Sequence, residues 1–227
     1  MIAVVIPAHN EASCIAACLS SVNVAAHCPQ LLNEPVVVVV AVDHSTDTTA
    51  EVATSFGAQV VLVSAKNVGI ARRAGALRAL HLGARWLAFT DADTVVSRSW
   101  LSSQLALNSD VVCGTVQVDD WQGYGDHMQL HYAETYSDRD DHRHIHGANL
   151  GVSSQAYRAV GGFAPLESSE DVALVNALQE KGCKIAWSAA PRVTTSARRD
   201  FRAPAGFGAT LTRINDDALR YVDEDSI

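Results

Sequence analysis

Residues 35–42 read Pro-Val-Val-Val-Val-Val-Ala-Val, and no other segment restricts the fold as much. Consecutive valines are stiff at χ1, crowd a helix and suit a pleated surface. Because every position is apolar, not alternate ones, the strand must be covered on both faces. Strands of that kind belong to parallel sheets with helices on either side.

The rest of the first half fits that frame. Ile2–Pro7 is a second buried strand, stopped by proline. Gln59–Val63 and Trp86–Thr90 (WLAFT) are a third and a fourth. Between them, apolar spacing predicts helices over Glu11–Val24, Thr46–Phe56 (capped by Ser45 or Asp47) and Asn67–Leu82. Four β–α units in succession predict an α/β domain whose ligands bind beyond the carboxyl ends of the strands. Polar residues gather there: Ala8-His9-Asn10-Glu11, Asp43-His44-Ser45 and Asp91-Ala92-Asp93. The second half is less regular. Helices are expected over Ser99–Asn108, Gly125–Asp141, Ser154–Val160, Glu170–Lys181 and Ala205–Val222. Strands are expected over Asp110–Val118, Gly147–Val152, Lys184–Trp187 and Arg192–Thr195.

Composition narrows function. A chain of 227 residues with 17 basic and 25 acidic side chains carries a net charge of −8, which argues against a nucleic-acid binder. An anionic ligand would need a local source of positive charge. No apolar run approaches the ~18–20 residues of a membrane-spanning helix, and residues 2–6 are too short for a signal peptide. Cys14, Cys18, Cys28, Cys113 and Cys183 are odd in number and form no C-x-x-C pair, as reduced buried thiols would. A cytoplasmic protein is therefore expected, at most peripheral to the inner face of the membrane. Dinucleotide, P-loop, zinc-protease and serine-hydrolase signatures are absent.

Asp91 and Asp93 flank a small residue after a buried strand. Two such carboxylates can hold a hard divalent cation that bridges to ligand phosphates, and the cation supplies the missing positive charge. Asp43 could accept from a base N–H or a ribose hydroxyl, or serve as a helix cap. Asn67-Val68-Gly69 with Arg72 and Arg73 suits a phosphate or base edge, or a solvated helix face. Glu170-Asp171 opens a helix, where acids favour the dipole; either could also be a general base.

Together these residues resemble glycosyltransferase family 2, inverting enzymes of the GT-A fold. The resemblance rests on Val5-Ile6-Pro7-Ala8-His9-Asn10-Glu11, Val42-Asp43-His44-Ser45-Thr46-Asp47, Asn67-Val68-Gly69 with Arg72, Asp91-Ala92-Asp93, Gly147-Ala148-Asn149-Leu150, Gly161-Gly162-Phe163 and Glu170-Asp171. It implies one domain over residues 1–227: a nucleotide-sugar half (1–95), an acceptor half (96–203), and a C-terminal helix and tail (204–227). It implies a nucleoside-diphosphate sugar donor met by Pro7, Ala8, Glu11, Asp43, Asn67, Arg72 and Asp91. Asp93, with Asp91, would ligate Mg²⁺ or Mn²⁺, and Asp171 would be the catalytic base. His146, Asn149 and Glu170 would face a small-molecule or glycan acceptor.

The second motif departs from the family pattern, since Asp43-His44-Ser45 lacks a glycine, and the Gln-x-x-Arg-Trp signature of processive members is absent. Transfer of one sugar is therefore expected. His127, His131, His142, His144 and His146 read as a solvated polar loop or, alternatively, as extra metal ligands. Arg198, Arg199 and Arg202 could close over a diphosphate or be ordinary surface charge. Two other readings are a sugar-phosphate nucleotidyltransferase and a non-catalytic nucleotide-sugar-binding module. The first lacks its glycine-rich basic loop at residues 8–12, and the second does not need the acids that are present.

Overall fold

A computed structural model describes residues 1–119, 121, 124 and 126–196. The helix expected over Ala205–Val222, the acidic tail and Arg198, Arg199 and Arg202 lie outside the described residues.

The first half is β1 (Ile2–Ala8), α1 (Ile15–Ala26), β2 (Val36–Asp43), α2 (Thr49–Ser55), β3 (Gln59–Val63), α3 (Val68–His81) and β4 (Trp86–Phe89). β1 pairs in parallel with β2 and β4, and β2 with β3, so four strand ends point to one edge. The second half adds β5 (Thr94–Val96), α4 (Trp100–Ala106), β6 (Val111–Val118), α5 (Asp126–Thr135), β7 (Leu150–Ser153), α6 (Ser154–Ala159), α7 (Glu170–Glu180) and β8 (Ile185–Thr195). All eight strands form one sheet in the order β3-β2-β1-β4-β7-β6-β8-β5. β7 is antiparallel to both β4 and β6, and two reversals restore direction. β6 therefore runs with β4, and β8 runs parallel to β6.

Alternate side chains of β1 enter different layers. Ile2, Val4 and Ile6 pack with Ile15, Leu19 and Val22 of α1. Ala3 and Val5 pack with Ala76, Ala79 and Leu80 of α3, in the layer that α7 joins through Leu174, Val175 and Leu178. Burying each large aliphatic side chain contributes about 1.5–3 kcal/mol. The unbroken apolar runs thus supply both core layers at once. The described residues include no helix long and apolar enough to cross a membrane.

Several local expectations change, among them the helices expected over Gly125–Asp141 and Thr46–Phe56, which are described over Asp126–Thr135 and Thr49–Ser55. α1 starts at Ile15, not Glu11; residues 11–14 form a single turn, closed by Cys14 N and Ile15 N on the Glu11 carbonyl. β5 was not expected; three residues carry too little pattern, and pairing with β8 makes them a strand. Residues 147–149 form a 3₁₀ turn before β7 in place of a strand. The two closing strands are one, β8, and its register slips where Gly114 pairs with Ser188 but Thr115 pairs with Arg192. That slip passes over Ala189-Ala190-Pro191, inside the gap of residues 188–191 expected between the two strands, since proline removes a ladder donor.

Candidate functional site

The loops after β1 and β2 are laced together. Asn10 N donates to Ser45 Oγ at 3.0 Å, and Thr46 N to Asn10 Oδ1 at 2.8 Å. Glu11 N donates to Thr49 Oγ1 at 2.9 Å, and Ala12 N to Asp47 Oδ2 at 3.0 Å. The carbonyl of Asp43 can only accept, so His9 Nδ1, 2.6 Å away, carries the proton. Asn10 and His44 both hold left-handed backbone, at φ of 52°. Pro7 is half-buried, and Ala8 and Glu11 are buried beside this loop pair.

Asp43 is buried at the end of β2. Its Oδ1 accepts from Ala65 N (2.7 Å) and Lys66 N (3.0 Å), and its Oδ2 from Asn67 N (2.8 Å). The carboxylate thus fixes the loop between β3 and α3; neither Ser45 nor the Asp43 side chain caps α2. The N-cap of α2 is Thr48, without a side-chain cap; Asp47, the residue before it, accepts from Thr49 N at 3.1 Å. Asn67 caps α3 by accepting from Ile70 N at 2.9 Å.

Arg72 occupies the centre. It is only 4 % exposed, so it is not on a solvated face. Its Nη2 lies 2.6 Å from Asp91 Oδ1 and its Nε 3.2 Å from Glu170 Oε1. The Phe163 ring lies beneath the guanidinium, 5.9 Å from Cζ to centroid. Residue 147 must be glycine here, because a Cβ would overlap Arg72 Nη1. Gly147 N in turn donates to Asp171 Oδ2 at 2.7 Å, while Val172 N holds Asp171 Oδ1 at 2.8 Å. Burial pushes the Glu170 carboxyl up, and Arg72 only partly offsets it, with Asp171 and Asp91 adding to the rise. Asp91, Glu170, Gly147 and Asp171, from three distant segments, thus form one cluster around Arg72.

Asp93 is half-buried in the turn between β4 and β5, with Thr94 Oγ1 at 3.4 Å from its Oδ1. Among the described residues no three His, Cys, Asp or Glu side chains converge as a metal cage. The donor set still fits a hard cation. Asp91, with its side chain 36 % exposed, and Asp93 offer carboxylate oxygens at a strand end. Mg²⁺ and Mn²⁺ commonly take one or two such ligands and complete their shell with phosphate and water.

On the acceptor side the structure divides the expected residues. Asn149 is fully buried and its amide is spent inside the protein. Its Oδ1 accepts from Trp100 Nε1 at 2.8 Å, and its Nδ2 donates to Thr115 O (2.7 Å) and Pro191 O (2.6 Å). It fastens the 3₁₀ turn to β6 and β8 and does not itself reach an acceptor. Glu170 is likewise buried on Arg72. His146 Nε2 and Tyr136 Oη share a hydrogen bond of 3.0 Å, its direction set by the histidine tautomer. Burial, with His144 alongside, pushes the His146 imidazole down to about 4.

His127 and His131 are exposed on α5, whereas His142, His144 and His146 lie in a loop and are buried or half-buried, not solvated. His142 is buried, and His144 stacks on Tyr136 with centroids 4.2 Å apart. Tyr136 stacks on Tyr132 at 4.7 Å. The spacing of Tyr132 and Tyr136 by four was the available signal for this ladder, since it places both on one side of a helix.

Comparison with known proteins adds the following. No curated protein sequence matches the chain. The architecture matches solved glycosyltransferases of the GT-A fold. Staphylococcus aureus TarS (residues 1–349, in complex with UDP-GlcNAc) superposes with a TM-score of 0.66 at 16 % identity, covering 94 % of this chain and 65 % of that one. GalNAc-T7 with UDP, GalNAc and Mn²⁺ gives 0.64 at 15 %, covering 86 % and 44 %. The Pyrobaculum calidifontis mannosyltransferase PcManGT with GDP-Man and Mn²⁺ gives 0.61 at 16 %, covering 88 % and 57 %. The chain thus spans about half to two thirds of the length of these structures. A family profile, described as glycosyl transferase family 2, matches residues 3–161, and the chain belongs to that family.

Proposed function

We propose that the chain is an inverting, metal-dependent glycosyltransferase that moves one sugar from a nucleoside-diphosphate donor to an acceptor hydroxyl. The observation that carries this reading is the Arg72 cluster. It sets the strand-end acid Asp91 and the helix acids Glu170 and Asp171 around one buried cation. The donor complexes of TarS, GalNAc-T7 and PcManGT support a nucleotide-linked donor.

On this reading the laced loops at Pro7, Ala8 and Glu11, with the loop that Asp43 and Asn67 brace, border the nucleotide. Asp91 and Asp93 would hold Mg²⁺ or Mn²⁺, which when bound stabilises charge on the departing diphosphate. Asp171 is the base. Two backbone N–H groups fix its carboxylate, so it is aimed before substrate arrives. As the acceptor oxygen bonds to the anomeric carbon, its proton passes to Asp171. The bond to the diphosphate oxygen breaks and its electron pair leaves with the diphosphate. Transfer is single, and free cysteines among the described residues accord with a reducing, cytoplasmic setting.

Calorimetry with UDP and GDP, each with Mn²⁺, tests the donor side. One of them should bind the wild type, and Asp93→Ala should weaken it at least tenfold. Unchanged affinity in the variant would remove Asp93 from the metal.

A further inference from the structure

An open cavity of about 310 Å³ lies where α5 crosses the ends of β6 and β8. Tyr132, Tyr136, Asp119, Asp138, Ala133 and Thr194 are on its wall. It belongs to no motif named above. Its volume is at the lower end for small-ligand sites, typically ~300–1,000 Å³.

Its place in the sheet ties it to the donor side. Val118 of β6 pairs with Thr195 of β8, and Thr195 pairs with Thr94, the residue after Asp93. Two inter-strand steps, each about 4.8 Å, therefore separate the cavity's edge from the proposed cation ligands.

The wall is rigid and aromatic on one side. Tyr132 Oη donates to Val116 O at 2.8 Å, and Val116 N donates to Tyr136 Oη at 2.8 Å. Both hydroxyls are thereby fastened to β6, and the stacked rings hold their orientation. Fixed tyrosine rings offer apolar area at little entropic cost. The polar part of the wall is acidic. Asp119 and Asp138 face the space, and among the described residues the lining includes no lysine, arginine or histidine. Arg192 of β8 is engaged with Asp138 at 3.2 Å. Carboxylates accept from hydroxyls and repel anions.

We propose that this cavity seats the acceptor, and that the acceptor group it takes is an uncharged sugar or polyol, with anionic sugars rejected. The inference rests on the glycosyltransferase reading for the word acceptor; the binding itself does not. The sugar ring lies along the edges of Tyr132 and Tyr136, whose faces are engaged with each other, with His144 and with Trp121, while hydroxyls donate to Asp119 and Asp138. The diphosphate of the donor is excluded by the same acids and stays at the β1–β4 ends.

The test is saturation-transfer NMR on the whole chain, without donor. The probes are glucose, galactose, mannose, N-acetylglucosamine and glycerol, against glucuronate and glucose 6-phosphate. At least one neutral probe should bind, and at least tenfold more tightly than both anions. Ala133→Trp, on the exposed face of α5, should abolish that binding without lowering the melting temperature. Asp119→Lys should narrow the gap between neutral and anionic probes at least threefold. No binding by any neutral probe, equal binding of the anions, or binding unchanged in Ala133→Trp overturns the proposal. Mn²⁺–UDP and Mn²⁺–GDP titrations on the same samples read the donor side separately. Their failure would strike the glycosyltransferase reading and leave the sugar-binding result to stand or fall by itself.

Discussion

Arg72 Nη2 sits 2.6 Å from Asp91 Oδ1, and this contact joins buried Arg72 of α3 to a partly exposed acid just past β4, while Glu170 is its buried partner. The arginine is buried, held charged by Asp91, Glu170 and Asp171 against the cost of its burial. Removing one partner of a buried pair leaves the other charge uncompensated, at about 3–5 kcal/mol. Arg72→Met should therefore lower stability by that amount in urea titration, and Arg72→Lys by less. Equal, small losses in both would show that the pair is solvated.

Gly147 is the second point of strain in the cluster. A methyl group there must displace the Arg72 guanidinium, which is pinned by two carboxylates and cannot swing away cheaply. Overpacking of this kind costs about 1–3 kcal/mol. Gly147→Ala should lower the melting temperature and, by moving the N–H that holds Asp171, reduce kcat more than KM. A variant with wild-type melting temperature and turnover would mean that the site yields freely.

Asp171→Asn keeps the shape of the side chain and removes its capacity to take a proton. Loss of a general base lowers turnover by about 10²–10⁴-fold. Nucleoside diphosphate affinity should stay within twofold of wild type. Normal turnover by this variant would exclude Asp171 as the base.

His146 gives a pH signature. Its folded-state pKa of about 4 lies below its unfolded value near 6.5. Between these values the unfolded chain binds more protons than the native one. The sign follows: stability is full above pH 6.5 and falls as pH drops towards 4. His146→Gln retains both a donor and an acceptor for Tyr136 but does not titrate, so it should flatten the melting temperature over that window. An identical pH profile in wild type and variant would assign the effect elsewhere.

Much of the first half was legible because its signals are local. Gln59–Val63 forms the strand expected residue for residue, and Asn67 caps the helix it was expected to open. Valine runs, glycine stops and caps need no distant partner to be read. The second half depends on partners. Thr94–Val96 becomes a strand only beside β8, and Asn149 is consumed by Trp100, Thr115 and Pro191. For the site, sequence order brought out the strand-end acids, yet nothing near Arg72 says that its guanidinium turns inward. That direction is set by Asp91, Glu170 and the room left at Gly147, which are 19 to 98 residues away in sequence. The tyrosine-lined cavity is assembled from β6, β8 and α5, and has no motif to announce it.

The reversed strand β7 has a consequence for engineering. It supplies the hydrogen-bonding neighbour of β4 on one side and of β6 on the other, with Phe89 opposite Leu150 and Leu150 opposite Cys113. β5, only a few residues past β4 in the chain, crosses to the far rim of the sheet. Residues 1–95 and 96–203, the proposed donor and acceptor halves, share one sheet and are therefore not separable cassettes. A fragment cut at residue 95 would bare the edge of β4 and split β5. A chimera exchanging the acceptor half would have to reproduce the Leu150–Ser153 register, or the donor strands would lose their flank along with the old specificity.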